Sequence, residues 1–131
     1  MKEAYILVAG SRSFDDYAVL CKILNMLTPY YPECEIHIVS GGARGADALA
    51  ERYADECHYK KDIFLADWDK DGKAAGYIRN TKMHEFIKNQ PNRICVCFWD
   101  GSSRGTAHNF ELCKKYNTKL IKVINGTMEL G

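Results

Sequence analysis

No run of apolar residues in this chain approaches the roughly 18–20 needed to cross a bilayer. Nothing at its start joins a basic segment to an apolar one. Neither a membrane span nor a signal peptide is expected, and the chain reads as cytoplasmic. An excess of either charge is also missing: 18 Lys and Arg against 17 Asp and Glu leave a formal net charge of +1. So balanced a composition lacks the basic stripe that grips nucleic acid, which is therefore not an expected partner. Paired cysteines are missing too. None of the six, Cys21, Cys34, Cys57, Cys95, Cys97 and Cys113, stands in a C-x-x-C pair. Zinc ligands usually arrive as such pairs in loops, so no metal is expected and the six read as reduced thiols. Cys95 and Cys97 alternate inside an apolar run, where cysteine behaves as a small hydrophobe.

Two cofactor signatures are absent as well, the dinucleotide G-x-G-x-x-G and the phosphate loop G-x-x-x-x-G-K-[ST]. That counts against ordinary NAD(P) dehydrogenases and P-loop ATPases, and no cofactor is expected. Asp67-Trp68-Asp69-Lys70-Asp71-Gly72 imitates the opening of a calcium loop, but Ile78 stands where its bidentate glutamate is required.

What is present is an alternation of strand and helix patterns over 131 residues, the size of one domain. Ala4–Ala9 is a continuous apolar run, the mark of a strand buried on both faces. Val19, Leu20, Ile23, Leu24 and Leu27 recur at helical spacing, capped by Ser13 or Asp15. Further strands are expected at 36–39, 62–65, 94–99 and 120–124, with helices at 46–58, 74–89 and 106–116. The tail from Asn125 is expected to fray. This order predicts an α/β, Rossmann-like three-layer fold around a mostly parallel five-stranded sheet, as a single domain with its core at about 4–124.

In such a sheet the loops leaving the carboxyl ends of the strands share one edge, where ligands bind. Three unusual loops fall there: Gly10-Ser11-Arg12-Ser13, Ser40-Gly41-Gly42-Ala43-Arg44-Gly45-Ala46-Asp47, and Asp100-Gly101-Ser102-Ser103-Arg104-Gly105-Thr106. Each follows an apolar run, opens a helix, and contains glycine and arginine. Helix N-termini expose unpaired amides and positive potential, glycine permits close approach, and arginine offers a bidentate fork for phosphate oxygens. Together they predict an anion site for a small phosphorylated ligand. Glycine after a strand also serves an ordinary tight turn, and Asp47 also suits a cap of its own helix.

A fourth segment, Trp68 followed by Gly72-Lys73-Ala74-Ala75-Gly76-Tyr77-Ile78-Arg79-Asn80, leaves the third strand at the same edge. Arg79 shares a helical row with Ala75, Met83 and Phe86. An arginine there needs a partner, either a structural carboxylate or an anionic ligand. Asn80 can read a base or ribose edge or tie down a loop. Trp68 and Tyr77 are equally candidates for stacking and for core. His84 and His108 read as helix-face residues.

These four motifs, GSRSF, SGGARGAD, W…GKAAGYIRN and DGSSRGT, resemble the YspA-like, YpsA-related branch of the SLOG superfamily, over about residues 4–124. That superfamily includes the LOG phosphoribohydrolases and DNA-processing protein A. The resemblance implies a Rossmann-like fold that binds nucleotides or their derivatives (phosphoribosyl, ADP-ribose- or NAD-like), in a bacterial or phage-encoded protein that is often a homo-oligomer. In the phosphoribohydrolases a PGGxGT loop precedes a glutamate, and a helix carries an arginine. Gly101, Gly105 and Thr106 match the loop and Arg79 the arginine, but His108 and Asn109 occupy the glutamate's stretch, and Glu111 lies farther along. Cleaving an N-glycosidic bond requires a carboxylate or its equivalent, for which Asp47 and Asp100 are the candidates beside Arg79. A ligand-binding or sensor protein is therefore the leading expectation, and a nucleotide-processing hydrolase the alternative.

Overall fold

The computed structural model describes residues 2–131. Its six strands are β1 (Lys2–Gly10), β2 (Cys34–Ser40), β3 (Lys60–Ile63), β4 (Arg93–Phe98), β5 (Leu120–Ile124) and β6 (Thr127–Leu130). They lie in the order β3-β2-β1-β4-β5-β6. The first five are parallel and β6 is antiparallel to β5. Five helices intervene: α1 (Tyr17–Leu27), α2 (Ala46–Glu56), the short α3 (Trp68–Asp71), α4 (Ala75–Ile87) and α5 (Arg104–Tyr116). No helix among the described residues is long and apolar enough to cross a membrane.

The period-two geometry of a strand sorts the core into two layers. From β1, Ala4, Ile6 and Val8 join Leu20 and Leu24 of α1 and Ala46, Ala50 and Tyr53 of α2. On the other face, Tyr5, Leu7 and Ala9 join Met83 and Ile87 of α4, Cys113 of α5, and Cys95 and Cys97 of β4. Strand order reverses at the β1–β4 pair, so their loops leave toward opposite faces and a crevice opens between them.

The sheet has one strand more than the alternation predicts. Asn125 and Gly126 both adopt left-handed φ, 51° and 78°, making a two-residue hairpin that returns the tail onto β5. Asn-Gly is a strong short-range hairpin signal, because both central residues of that turn need positive φ. The tail is thus paired instead of frayed, and β6 covers what would be an open edge. Strand β3 also begins two residues early. Its edge position demands little burial, so Lys60 and Lys61 enter it through ion pairs to Glu35 and Asp55, and Asp62 through a hydrogen bond with His37, while Phe64 and Leu65 run past the sheet. Asp16, one residue beyond the predicted caps, closes α1 by accepting from the Val19 amide at 3.1 Å.

The loops after β1 and β2 meet at Gly45, whose φ is +76° and whose missing Cβ would overlap the Ser11 carbonyl oxygen. Gly45→Ala combines a left-handed backbone with a backbone clash. It is expected to lower stability by at least about 2 kcal/mol in thermal or urea unfolding; an unchanged midpoint would contradict this contact.

Candidate functional site

Above the β1–β4 crevice lies a cleft of about 440 Å³. Its walls come from four segments: Gly10, Ser11 and Arg12 after β1; Ala43 and Asp47 after β2; Trp68, Lys73, Gly76, Tyr77, Arg79 and Asn80 around α3 and α4; and Asp100, Ser103, Gly105, Thr106 and Asn109 after β4. A second hollow, lined by Gly41, Gly42, Arg44 and Leu65, shares Arg12, Ala43, Trp68 and Arg79 with the first. Gly45, Gly101, Ser102 and Arg104 line neither hollow.

Ser11 ties the loops together. Its amide donates to the Phe98 carbonyl (3.0 Å), its carbonyl accepts from the Ala46 amide (3.4 Å), and its hydroxyl oxygen accepts from the Asp100 amide (3.1 Å). Several groups assigned to an anion by sequence are occupied within the chain. Ser40 is fully buried, with its hydroxyl donating to Glu51 at 2.8 Å and accepting from the Gly42 amide at 3.2 Å. Gly41 makes room for an arginine, since a Cβ there would stand 2.5 Å from Arg79 Nη1. The Asp100 carboxylate accepts the amides of Ser102 (2.9 Å) and Ser103 (2.7 Å), which hold its pKa below the ordinary range.

Gly101-Ser102-Ser103-Arg104-Gly105 also has G-x-S-x-G spacing, which in hydrolases marks a nucleophile on a strained turn. Here Ser103 is an unstrained helix cap with φ −59°. Its hydroxyl pairs with Thr106 at 3.1 Å, and among the described residues no histidine bonds to it.

Arg79 is half-buried. Nε donates to Asn80 Oδ1 (2.9 Å) and Nη1 to the Gly41 carbonyl (2.6 Å). Its partners are therefore neutral oxygens, and among the described residues it forms no ion pair, nor do Arg12 and Lys73. Desolvation accordingly lowers its pKa, with the Arg12 charge acting the same way against Asp47. Asn80 reaches across to the Gly105 carbonyl at 3.2 Å, joining α4 to α5. Trp68 and Tyr77 stand half-exposed at the rim, with Arg12 over the Trp68 ring at 5.5 Å and Tyr77 edge-on to His108. His84 is fully buried, on the inner face of α4. Asp67 caps a single turn by accepting the Lys70 amide, so the calcium-like stretch is a capped helix start.

The sequence reading missed Lys73 and Asn109 as cleft residues. Asn109 follows Thr106 by three residues, the spacing that puts both on one face of α5; a polar residue on that buried face was the available signal.

A model of the YspA, cpYpsA-related SLOG family matches residues 4–70. "Gene 61 protein" of Mycobacterium phage D29 is 31% identical over 124 residues, covering 88% of this chain and 93% of that protein. The chain belongs to the YspA, cpYpsA-related SLOG family. Among solved structures, a predicted subunit of tRNA methyltransferase from Methanocaldococcus jannaschii aligns over 91% of this chain and 68% of that one, with 18% identity and a TM-score of 0.43. The family model spans the loops after β1 and β2, and the stretch shared with the phage relative, 88% of the chain, takes in Arg79 and the Asp100 loop as well.

Asp47 is the cleft's unusual acid. It is buried, accepts the Ala43 amide at 3.1 Å, and has its pKa raised from 3.8 to about 6 by desolvation, against the pull of Arg79 and Arg12. The folded state therefore holds this proton more tightly than the unfolded chain does. The resulting stability is fully present below about pH 4 and is lost as pH rises through about 6. Asp47→Asn keeps an oxygen for Ala43 and removes the charge. It is expected to be more stable than the parent above neutrality, by up to about 3 kcal/mol at one pKa unit per 1.36 kcal/mol. The difference should close near pH 4 in urea unfolding; a pH-independent difference would refute the assignment.

Proposed function

We propose that this protein binds a nucleotide or nucleotide-derived ligand, of phosphoribosyl, ADP-ribose or NAD-like type, in the cleft above the β1–β4 crevice, as a sensor or binding module. The observation that carries this reading is the half-buried Arg79, a cation without a carboxylate partner, facing a cleft that Arg12 and Lys73 also line. Desolvated cations of this kind attract anionic oxygen, and arginine does so bidentately. The volume of about 440 Å³ is in the range of small-molecule sites. Arg12 and Arg79 stand at the junction with the second hollow, where Arg44 adds a third guanidinium. An elongated ligand with its phosphates at that junction and a base against Trp68 or Tyr77 suits the two lobes. Family membership supports the same class.

Gly105 belongs to this reading for a steric reason. It lines the cleft, and beyond its chain neighbours and its own helix backbone no atom lies within 4 Å of where its Cβ would be. Gly105→Ala is therefore expected to fold with equal or greater stability, by up to about 1 kcal/mol from helix propensity. Against a panel of AMP, ADP, ADP-ribose and NAD, the parent protein should gain about 2.7 kcal/mol at a hundredfold excess over Kd, read as a melting shift of several degrees. Gly105→Ala and Arg12→Ala should each bind at least about tenfold more weakly, some 1.4 kcal/mol. A panel that shifts nothing at millimolar ligand would overturn the reading.

A second reading, a nucleotide N-glycosidic hydrolase, draws on the raised pKa of Asp47, which suits a general acid or base. Asp100 is less suited, because its oxygens are engaged by Ser102 and Ser103. Release of free base from AMP or NAD, followed by chromatography, tests this reading. Activity should vanish in Asp47→Asn and survive in Asp100→Asn; no release from the parent protein leaves binding as the function.

A further inference from the structure

The layer between the sheet and α4–α5 contains a polar cluster that the cleft does not use. Cys95 and Cys97 enter it from β4, Cys113 from α5 and His84 from α4, and all four are buried. One ligand atom from each of His84, Cys95 and Cys113 lies within 4.8 Å of the others. Cys97 Sγ is 3.7 Å from Cys95 Sγ. Leu7, Met83, Ile87 and Leu120 complete the surroundings.

The imidazole supplies an independent observation. Asn109 Nδ2 donates to the carbonyls of Gly105 (3.3 Å) and Thr106 (3.4 Å), which fixes Oδ1 as the atom meeting His84. Oδ1 is an acceptor, so His84 Nε2, 2.9 Å away, carries the hydrogen. Nδ1 is left as a bare lone pair, buried and without a hydrogen-bond partner. A buried acceptor left unmet costs roughly 1–3 kcal/mol. An imidazole with one nitrogen tied to an amide oxygen and the other bare is the usual state of a metal-ligating histidine.

We propose that His84 and the thiolates of Cys95 and Cys113 bind one soft divalent cation of the zinc class, with the neutral Cys97 thiol beside Cys95. Two thiolates cancel the charge of the ion and the imidazole stays neutral, so the complex adds no net charge to an apolar layer. Thiolate and imidazole ligands favour zinc over calcium or magnesium. Binding releases one proton from each thiol. Without a metal, the neighbouring Cys113 and Cys97 thiols and burial push the Cys95 pKa well up. The ion would join β4, α4 and α5, and through Asn109 it would brace the carbonyls of Gly105 and Thr106 at the cleft.

The competing explanation is that the cysteines are apolar fillers and the lone pair is simply unmet. Because the site is closed, the ion must enter as the chain folds. The full-length protein is therefore unfolded under reducing conditions and refolded with zinc or with chelator, then dialysed for metal analysis. About one zinc per chain is expected in the first arm, with a higher melting temperature, and almost none in the second. Cobalt in place of zinc should give an intense thiolate-to-metal charge-transfer band. Cys113→Ala and His84→Ala should lose both signatures, and Cys21→Ala, outside the cluster, should keep them. Where a variant fails to fold, the cobalt spectrum of the unmodified protein decides. Absence of zinc and of the charge-transfer band in the unmodified protein, or a band unchanged in folded Cys113→Ala, overturns the site.

Discussion

The edge of this sheet is organised by one buried residue. Ser11 places its amide on β4, its carbonyl on the start of α2, and its hydroxyl oxygen on the Asp100 loop. Each bond alone is worth about 1 kcal/mol net. Their importance lies in convergence: three loops from three strands are held in register at a single point, and displacing any one would leave a buried polar group unpaired. The glycines follow from this crowding. Gly10 is required because a Cβ would stand 2.5 Å from Ala46 Cβ and 2.6 Å from the Phe98 carbonyl oxygen. Gly45 is required by the Ser11 carbonyl in the same way. Much of the glycine-rich character of these loops thus serves loop against loop, and only Gly105 combines a place in the cleft with open space where a side chain would be.

That division explains what was legible in the sequence. Alternating apolar runs and helical periods gave the parallel sheet, and the sheet put the loops at one edge by topology alone. Ser11, Arg12, Arg79, Asn80 and Thr106 all line the cleft. Which amides stay open to an anion was not legible, because that depends on side-chain acceptors meeting across short distances. Asp100 takes the amides of Ser102 and Ser103, and Asp47 takes that of Ala43. The partner of Arg79 was equally hidden. A helical row predicts that it needs one, but only the close pass of the loop at Gly41 makes that partner a carbonyl oxygen.

The thiol–imidazole cluster was illegible for a different reason. Its members are spread over 84–113 on a strand and two helices, without the paired spacing that marks zinc loops. Cys95 and Cys97 lie on one face by strand geometry, and the phases of α4 and α5 bring His84 and Cys113 to the same face. Nothing in the sequence fixes the tautomer of His84, which follows from the two carbonyls that orient Asn109. The same asparagine lines the cleft, so the buried layer and the cleft share one hydrogen-bonded residue.

Electrostatics at that edge couples an anion to a proton. Arg79 and Arg12 both act to keep Asp47 ionised, while burial acts to keep it neutral, and burial prevails enough to raise its pKa to about 6. A phosphate drawn to the two guanidinium groups would cancel their pull and add a like charge nearby, both of which raise the Asp47 pKa further. Linkage is reciprocal, so a protonated Asp47 must in turn favour the anion. The buried carboxyl is therefore more than an obstacle to anion binding. Its charge offsets part of that of the desolvated Arg79 and the exposed Arg12, and an anion bound beside them would take over that role as the carboxyl took up its proton.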